Sequence, residues 1–286
     1  MCPECPSGLG ALTRPLGLLN QADFIKIIDE IKSTSFYIQL FFQGEPFINK
    51  QLPELIRYAQ SNKIYVSIST NGHFINEENV DKVLKNAPDK LIYSVDGLDE
   101  VSYQNYRVGG TFKQADEGLR LLINRRKELG LKKPFVEFQF IVMRQNEHLI
   151  EDVKEYGKVV GVDKVVFKTM QISSYENAKK FLPSNTKYSR YILEKSSFKI
   201  KHEVKNHCFA LWRTSVITWD GKVVPCCFDK DAFYEFGLVN GRAFEDVWRS
   251  DSYNNFRERI LSDRKSVNMC TNCTEGLKIN IFEIEQ

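Results

Sequence analysis

The chain predicts an α/β fold: a parallel, barrel-like sheet with helical crossovers, followed by a small second unit. Three observations carry this. Apolar β-type runs alternate with amphipathic helical segments from residue 36 to residue 168, the pattern of strand–helix–strand crossovers. The alternation stops near residue 170. All seven cysteines lie outside the alternating region: Cys2 and Cys5 before it, then Cys208, Cys226, Cys227, Cys270 and Cys273.

Residues 1–20, punctuated by proline and glycine, read as a loop. Phe24, Ile27, Ile28 and Ile31 recur at helical spacing and predict a helix over 21–33. The apolar run 36–42 predicts a buried strand that leads into Gln43-Gly44-Glu45-Pro46. A helix over 51–62 follows, then a strand over 64–69 ending in Thr70-Asn71-Gly72. A helix over 77–86 leads to a strand over 90–95, ending Ser94-Val95-Asp96-Gly97. A polar loop carries Tyr106-Arg107 before a helix over 113–129. A strand over 135–142, a helix over 147–160 and a strand over 164–168 complete five strands. In parallel barrels the chemistry collects at the carboxyl ends of the strands. Gly44, Glu45, Asn71, Ser94, Asp96 and Lys168 fall there.

Residues 173–207 are polar and irregular and read as a linker with local turns. Residues 216–225 predict a β-hairpin around Asp220-Gly221. Cys208 precedes it and Cys226-Cys227 close it. A helix over about 243–262 and then Cys270-Thr-Asn-Cys273 follow. The expected units are therefore 1–172, 173–207 and 208–286.

Composition narrows the function classes. Hydrophobic residues at 42% and charged residues at 27% describe an ordinary globular protein. The net charge of +3, from 40 basic and 37 acidic residues, points to neither nucleic acid nor an anionic membrane as the main partner. No apolar run approaches the roughly 20 residues of a membrane span, and the start lacks the pattern of a signal peptide. The expectation is a cytoplasmic, reducing setting, where closely spaced cysteines serve as metal ligands more often than as disulfides.

Cys2-x-x-Cys5 alone fits a zinc-knuckle fragment, a redox pair or part of an iron–sulfur site; its Gly/Pro-rich loop suits the last. The later group is more specific. Cys208 to Cys226 is 18 positions, Cys226 to Cys270 is 44 and Cys270 to Cys273 is 3. Four thiolates from a hairpin and a knuckle make a closed site for zinc or for an iron–sulfur cluster, and spacing leaves the metal open. Cys227 is either a buried thiol, the preferred reading, or an alternative ligand.

With these residues in view, the chain resembles the radical S-adenosylmethionine (SAM) enzymes. That family carries Cys-x-x-x-Cys-x-x-Cys after its first barrel strand; three thiolates hold a [4Fe–4S] cluster whose open iron binds SAM. By match, Cys2 and Cys5 are the second and third ligands, and the first falls three positions before Met1. The resemblance thus implies a partial (β/α)6-type barrel whose first strand precedes this sequence. Gln43-Gly44-Glu45-Pro46 resembles the family's Gly-Gly-Glu-Pro stretch, where backbone and glutamate approach the SAM amino group. Asn71, Ser94 and Asp96 match positions that contact SAM, Arg107 could pair with its carboxylate, and Gln139 looks out from a later strand. The plainer alternative for each is a polar group capping local backbone.

Cys208, then Gly221 five positions before Cys226, then Cys270-x-x-Cys273, resembles the SPASM or twitch extension of the same family. The next cysteine of the full pattern falls due at Ile279, so the resemblance implies one auxiliary [4Fe–4S] cluster on Cys208, Cys226, Cys270 and Cys273. The implied activity is reductive cleavage of SAM to a 5′-deoxyadenosyl radical that takes hydrogen from a small-molecule or peptide substrate. A flavodoxin or ferredoxin is the implied electron donor, and the auxiliary cluster the implied electron relay. No residue is assigned as substrate base, although Lys168 at a strand end is a candidate. The competing reading is an inactive barrel remnant with a structural four-cysteine zinc site, acting as a binding module.

Other residues read as structural. His73, His148, His202 and His207 share no ligand spacing. Trp212, Trp219 and Trp248 read as core of the small unit, and the charged stretch Arg257–Lys265 as a solvated helix face.

Overall fold

The computed structural model describes residues 2–239 and 242–274, with the backbone of 283–285. Five parallel strands, β1 (Tyr37–Gln39), β2 (Tyr65–Thr70), β3 (Lys90–Ser94), β4 (Phe135–Val142) and β5 (Lys164–Thr169), lie in chain order across one sheet. The crossovers are α3 (Leu52–Ser61), α4 (Val80–Lys85), α6 (Phe112–Glu128) and α7 (Ile150–Val160). A short α1 (Pro6–Leu9) and α2 (Gln21–Ile31) precede β1, and α5 (Glu100–Gln104) precedes α6. This is the predicted parallel α/β architecture. A sixth strand was not anticipated: β10 (Glu283–Glu285) pairs antiparallel with β5.

Strand alternation explains the two faces. Successive side chains point to opposite sides, and the register aligns Val66, Ile68, Leu91, Tyr93, Val136, Phe138, Phe140, Val165 and Phe167 on one of them. All are buried in the main core with Phe24, Ile27 and Ile28 of α2 and Leu119 and Leu122 of α6. The other face carries Ser67, Ser69, Ser94, Glu137, Gln139 and Lys168. Helices cover the apolar face and the polar face is turned to the lumen. Truncating one fully buried aromatic such as Phe138 costs about 3–5 kcal/mol.

Close packing also sets a glycine. A Cβ on Gly118 of α6 would sit 2.9 Å from the Ile75 carbonyl oxygen and 2.9 Å from the Tyr93 hydroxyl. That hydroxyl donates to the Gly72 (3.1 Å) and Ala115 (2.8 Å) carbonyls, so α6 is seated directly on the loop after β2.

The remaining segments depart from expectation in particular places. The linker holds a helix, α8 (Tyr175–Phe181), and a two-stranded hairpin, β6 (Tyr191–Leu193) with β7 (Phe198–Ile200). Phe181, Leu182 and Tyr191 give this segment a core of its own with Met143 and Met170. The Asp-Gly hairpin is present as β8 (Val216–Ile217) and β9 (Val223–Val224). The single helix expected over 243–262 is two, α9 (Phe244–Trp248) and α10 (Asp251–Asp263), because Ser250 caps α10 and accepts from the Tyr253 N–H. A 3-10 turn (Arg264–Ser266) then leads to α11 (Asn268–Thr271).

The stretch 257–265 is not a solvated face throughout. Arg257 is 7% exposed, sandwiched over the Trp248 and Tyr253 rings, and Arg264 is 1% exposed. Their long stems bury along the small core while the guanidinium meets carbonyls: Leu211 and Trp248 for Arg257, His207 for Arg264. Trp212, by contrast, is exposed rather than core.

Candidate iron–sulfur and cofactor site

The carboxyl ends of β1–β4 and the loop holding Cys2 and Cys5 meet at one end of the sheet. Cys5 caps α1, accepting from the Gly8 N–H at 3.4 Å. The Ser7 hydroxyl donates to Gln43 Oε1 at 2.6 Å, tying this turn to the segment after β1. Gly44 adopts φ +86, a left-handed conformation that side chains resist, and open space lies where its Cβ would be. The backbone is thus bare on a cleft of about 270 Å³ lined by Glu4, Cys5, Phe42, Gly44, Ser69 and Lys230.

Glu45 turns back to the sheet. Its Oε1 accepts from the Thr70 hydroxyl (2.9 Å) and the Phe47 N–H (3.2 Å), and its Oε2 from the Asn71 N–H (2.8 Å). Burial raises its pKa, and these three donors and Arg107 only partly offset that. A carboxylate offers about four lone-pair sites, so Glu45 keeps little accepting capacity for a ligand. The Asn71 side-chain oxygen accepts from the His73 N–H at 3.0 Å, while His73 Nε2 accepts from the Thr111 N–H at 3.2 Å. His73 is therefore a loop bridge.

Ser94 and Ser69 face each other, their hydroxyls 3.4 Å apart, on the lumen side. Gln139 lies beside Ser94 in register, partly exposed, and Lys168 lies beside Ile141 on the same face. Asp96 is fully buried. Its Oδ2 accepts from Arg107 Nε at 2.7 Å and from a terminal Arg107 nitrogen at 2.7 Å, and its Oδ1 from the Ile141 N–H at 2.8 Å. Burial works against the Arg107 charge, but Asp96 outweighs it and the guanidinium holds its proton more tightly than usual. Cys2 lies in the field of this pair: burial raises its thiol pKa and Arg107 opposes the rise.

The second unit reaches across to this cleft. Asp231 accepts from the Thr13 N–H (2.8 Å), the Thr13 hydroxyl (2.7 Å) and the Arg14 N–H (2.9 Å). Arg14 Nε donates to the Lys230 carbonyl at 3.0 Å, and the Trp219 indole N–H to the Pro15 carbonyl at 3.2 Å. Asp229, 2% exposed, accepts from the Phe233 and Tyr234 N–H groups, both at 2.9 Å. Lys230 is held between these two aspartates and lines the cleft. No motif announced this contact.

Cys208, Cys270 and Cys273 are buried, and Cys226 is partly so. Cys226 interacts electrostatically with Cys270 and Cys273, and Cys270 with Cys208, so the four thiols form one neighbourhood. Burial pushes the Cys226 and Cys270 thiols up. Among the described residues no three His, Cys, Asp or Glu side chains close on a point that could hold a single metal ion. Cys227 is exposed rather than a buried thiol. The chain turns directly after Cys226, whose carbonyl accepts from the Asp229 N–H at 3.2 Å, and that turn sends Cys227 outward. Ile279 lies outside the described residues.

A larger hollow of about 350 Å³ lies between α2 and α9, lined by Lys26, Glu30, Val239, Arg242 and Ala243. None of these lining residues is a cysteine. No helix among the described residues is long and apolar enough to cross a membrane.

A parallel sheet with a cysteine loop at its carboxyl end and a separate cysteine-rich unit defines an iron–sulfur α/β enzyme. The profile of the radical SAM superfamily matches residues 1–157 and that of the SPASM iron–sulfur cluster-binding domain matches 208–274; the chain belongs to the radical SAM superfamily. It is therefore an iron–sulfur enzyme whose cofactors are SAM and [4Fe–4S] clusters. It is similar to the tungsten-containing aldehyde ferredoxin oxidoreductase cofactor-modifying protein of Pyrococcus furiosus, 23% identical over 88% of this chain and 78% of that one. It is similar to the PqqA peptide cyclase of Granulibacter bethesdensis, 24% identical over 86% and 70%. In fold it resembles BtrN in complex with AdoMet and 2-DOIA (TM-score 0.55, 17% identity, 96% of this chain and 87% of that chain). It also resembles anSMEcpe with AdoMet and the Kp18Cys peptide (0.61, 15%, 95% and 83%).

The residues fit these groups. The Cys5 thiol and a bare glycine backbone line one cleft, where Glu4 Oε1 is buried with no hydrogen-bond partner among the described residues. Four thiols share the second unit.

Proposed function

We propose that this protein is a radical SAM maturase: it cleaves SAM reductively and takes a hydrogen atom from a peptide or a small precursor. The observation that carries the reading is the meeting of Cys5, the open Gly44 backbone and Lys230 of the second unit on one cleft. The bound cluster and SAM supply the radical chemistry. The chain's residues bind, orient and exclude water.

In this reading Cys2 and Cys5 hold iron, and the Gly44 backbone lets SAM approach without a side chain in the way. Glu45 acts indirectly: by accepting from Thr70, Phe47 and Asn71 it fixes the loop that presents Gly44. Asn71 is oriented by the same carboxylate. Asp96 and Arg107 act as a buried strut behind Cys2 rather than as ligands, since each occupies the other. Ser94, Gln139 and Lys168 line the lumen, where a substrate would lie. Cys208, Cys226, Cys270 and Cys273 hold one auxiliary [4Fe–4S] cluster that receives an electron from the oxidised substrate. The proposed units are 1–172, 173–207 and 208–286, with a flavodoxin- or ferredoxin-like donor in a reducing compartment. Similarity to proteins named as a peptide cyclase and as a cofactor-modifying protein supports a peptide or cofactor precursor as substrate.

The test is anaerobic reconstitution with counts of iron and sulfide, then dithionite and SAM, with 5′-deoxyadenosine measured by chromatography. Iron, sulfide and SAM-dependent 5′-deoxyadenosine are expected. Zinc without iron or sulfide sinks the reading and leaves a binding module.

A further inference from the structure

Arg264 and Arg190 flank the four-cysteine group, and neither belongs to a cysteine motif. Arg264, 1% exposed, starts the 3-10 turn between α10 and α11. Its backbone N–H donates to the Asn206 side-chain oxygen at 3.0 Å, and its guanidinium to the His207 carbonyl at 2.7 Å, one residue before Cys208. The same charge acts on the Cys270 thiol, lowering its pKa against the effect of burial. One guanidinium thus acts on the segments bearing two of the four thiols. Its position is fixed by the chain: the Val267 N–H donates back to the Arg264 carbonyl and the Cys270 N–H to the Val267 carbonyl, at 3.2 and 2.9 Å.

Arg190, from the linker, interacts electrostatically with Cys273. It donates to the Thr169 hydroxyl (2.9 Å) and carbonyl (2.6 Å) at the end of β5, and to the Thr274 hydroxyl (2.9 Å). Arg259 of α10 adds a third, more distant positive charge near Cys270.

Resting on the auxiliary-cluster reading, we propose that Arg264 is a positioning residue that raises the reduction potential of the cluster held by Cys208, Cys226, Cys270 and Cys273, with Arg190 a weaker second. Reduction adds one electron and breaks no bond, so the negative charge on the cluster grows by one. A fixed cation in a dry site stabilises the more negative state more than the less negative one. The unit is thereby biased toward accepting an electron, the direction a substrate oxidation needs.

The experiment uses the full chain with Cys2→Ala and Cys5→Ala, so that only the second unit can load a cluster. After anaerobic reconstitution and counts of iron and sulfide, the midpoint potential is read by EPR-monitored titration. Arg264→Gln is expected to lower the reduced-to-oxidised ratio at fixed potential about tenfold, equivalent to 59 mV for one electron. Arg264→Lys should retain most of the ratio, and Arg190→Gln should shift it the same way by less. An unchanged midpoint in Arg264→Gln overturns the proposal. If that variant retains no iron, an unchanged midpoint in Arg190→Gln overturns it instead. Zinc without iron in the parent chain overturns the auxiliary-cluster reading before any potential is read, so the two failures are distinct.

Discussion

Arg107 places two nitrogens on a single oxygen of Asp96, both at 2.7 Å, and leaves the other oxygen to the Ile141 N–H. The pair joins the loop after α5 to the end of β4, with Asp96 fully buried. Removing one partner of a buried pair leaves an uncompensated charge, at a cost of about 3–5 kcal/mol. Asp96→Asn should lower stability by that order in urea titration, and Arg107→Met on top of it should recover part of the loss. A strut predicts such recovery; strictly additive losses in the double-mutant cycle would deny the coupling.

Asp231 fastens residues 13 and 14 to the second unit through three short hydrogen bonds. Their net worth in a largely solvated position is about 1–2 kcal/mol. Asp231→Ala should leave global unfolding nearly unchanged but speed amide exchange and proteolysis across residues 11–17. Equal exchange in both proteins would mean that Trp219, seated against Gly17 and bonded to Pro15, holds the loop alone.

Much of this was legible beforehand because periodicity and burial agree in the sheet. Phe135–Val142 places Val136, Phe138, Phe140 and Val142 at alternate positions and forms β4 over those residues. Cysteine spacing grouped Cys208 with Cys270 and Cys273. What escaped is set by partners far away in sequence. The pattern of residues 257–265 looks polar, yet Arg257 and Arg264 are buried because carbonyls and rings from elsewhere receive them. Nothing local to Arg107 announces its pairing with Asp96, eleven positions earlier. Lys230 and Asp231 belong to no motif, and their approach to Cys5 and Thr13 is a product of the tertiary fold.

Glu45 yields a pH test. Burial raises its pKa above the ordinary 4.5, against hydrogen bonds that lower it. A carboxyl raised on folding binds its proton more tightly in the native state, so it contributes stability at low pH. That contribution fades as pH rises from the unfolded value through the folded one. Relative to Glu45→Gln, which cannot titrate, the wild-type protein should lose stability as pH climbs above about 4.5. A stability difference that stays flat from pH 4 to 8, approximately the range of ordinary and raised carboxyl values, would show that the three donors fully offset burial.

Cys226 and Cys227 are neighbours in sequence with opposite surroundings: Cys226 interacts with Cys270 and Cys273, whereas Cys227 is turned to the surface. The hydrogen bond from the Asp229 N–H to the Cys226 carbonyl produces the difference. Replacing a ligand by serine should remove a closed cluster, whereas replacing a bystander should not. In the Cys2→Ala/Cys5→Ala background, Cys226→Ser and Cys270→Ser should each lose about four irons per chain on reconstitution. Cys227→Ser should retain them with an unaltered visible spectrum. Loss of iron in Cys227→Ser together with retention in Cys226→Ser would exchange their roles and require the 226–229 turn to reverse on loading.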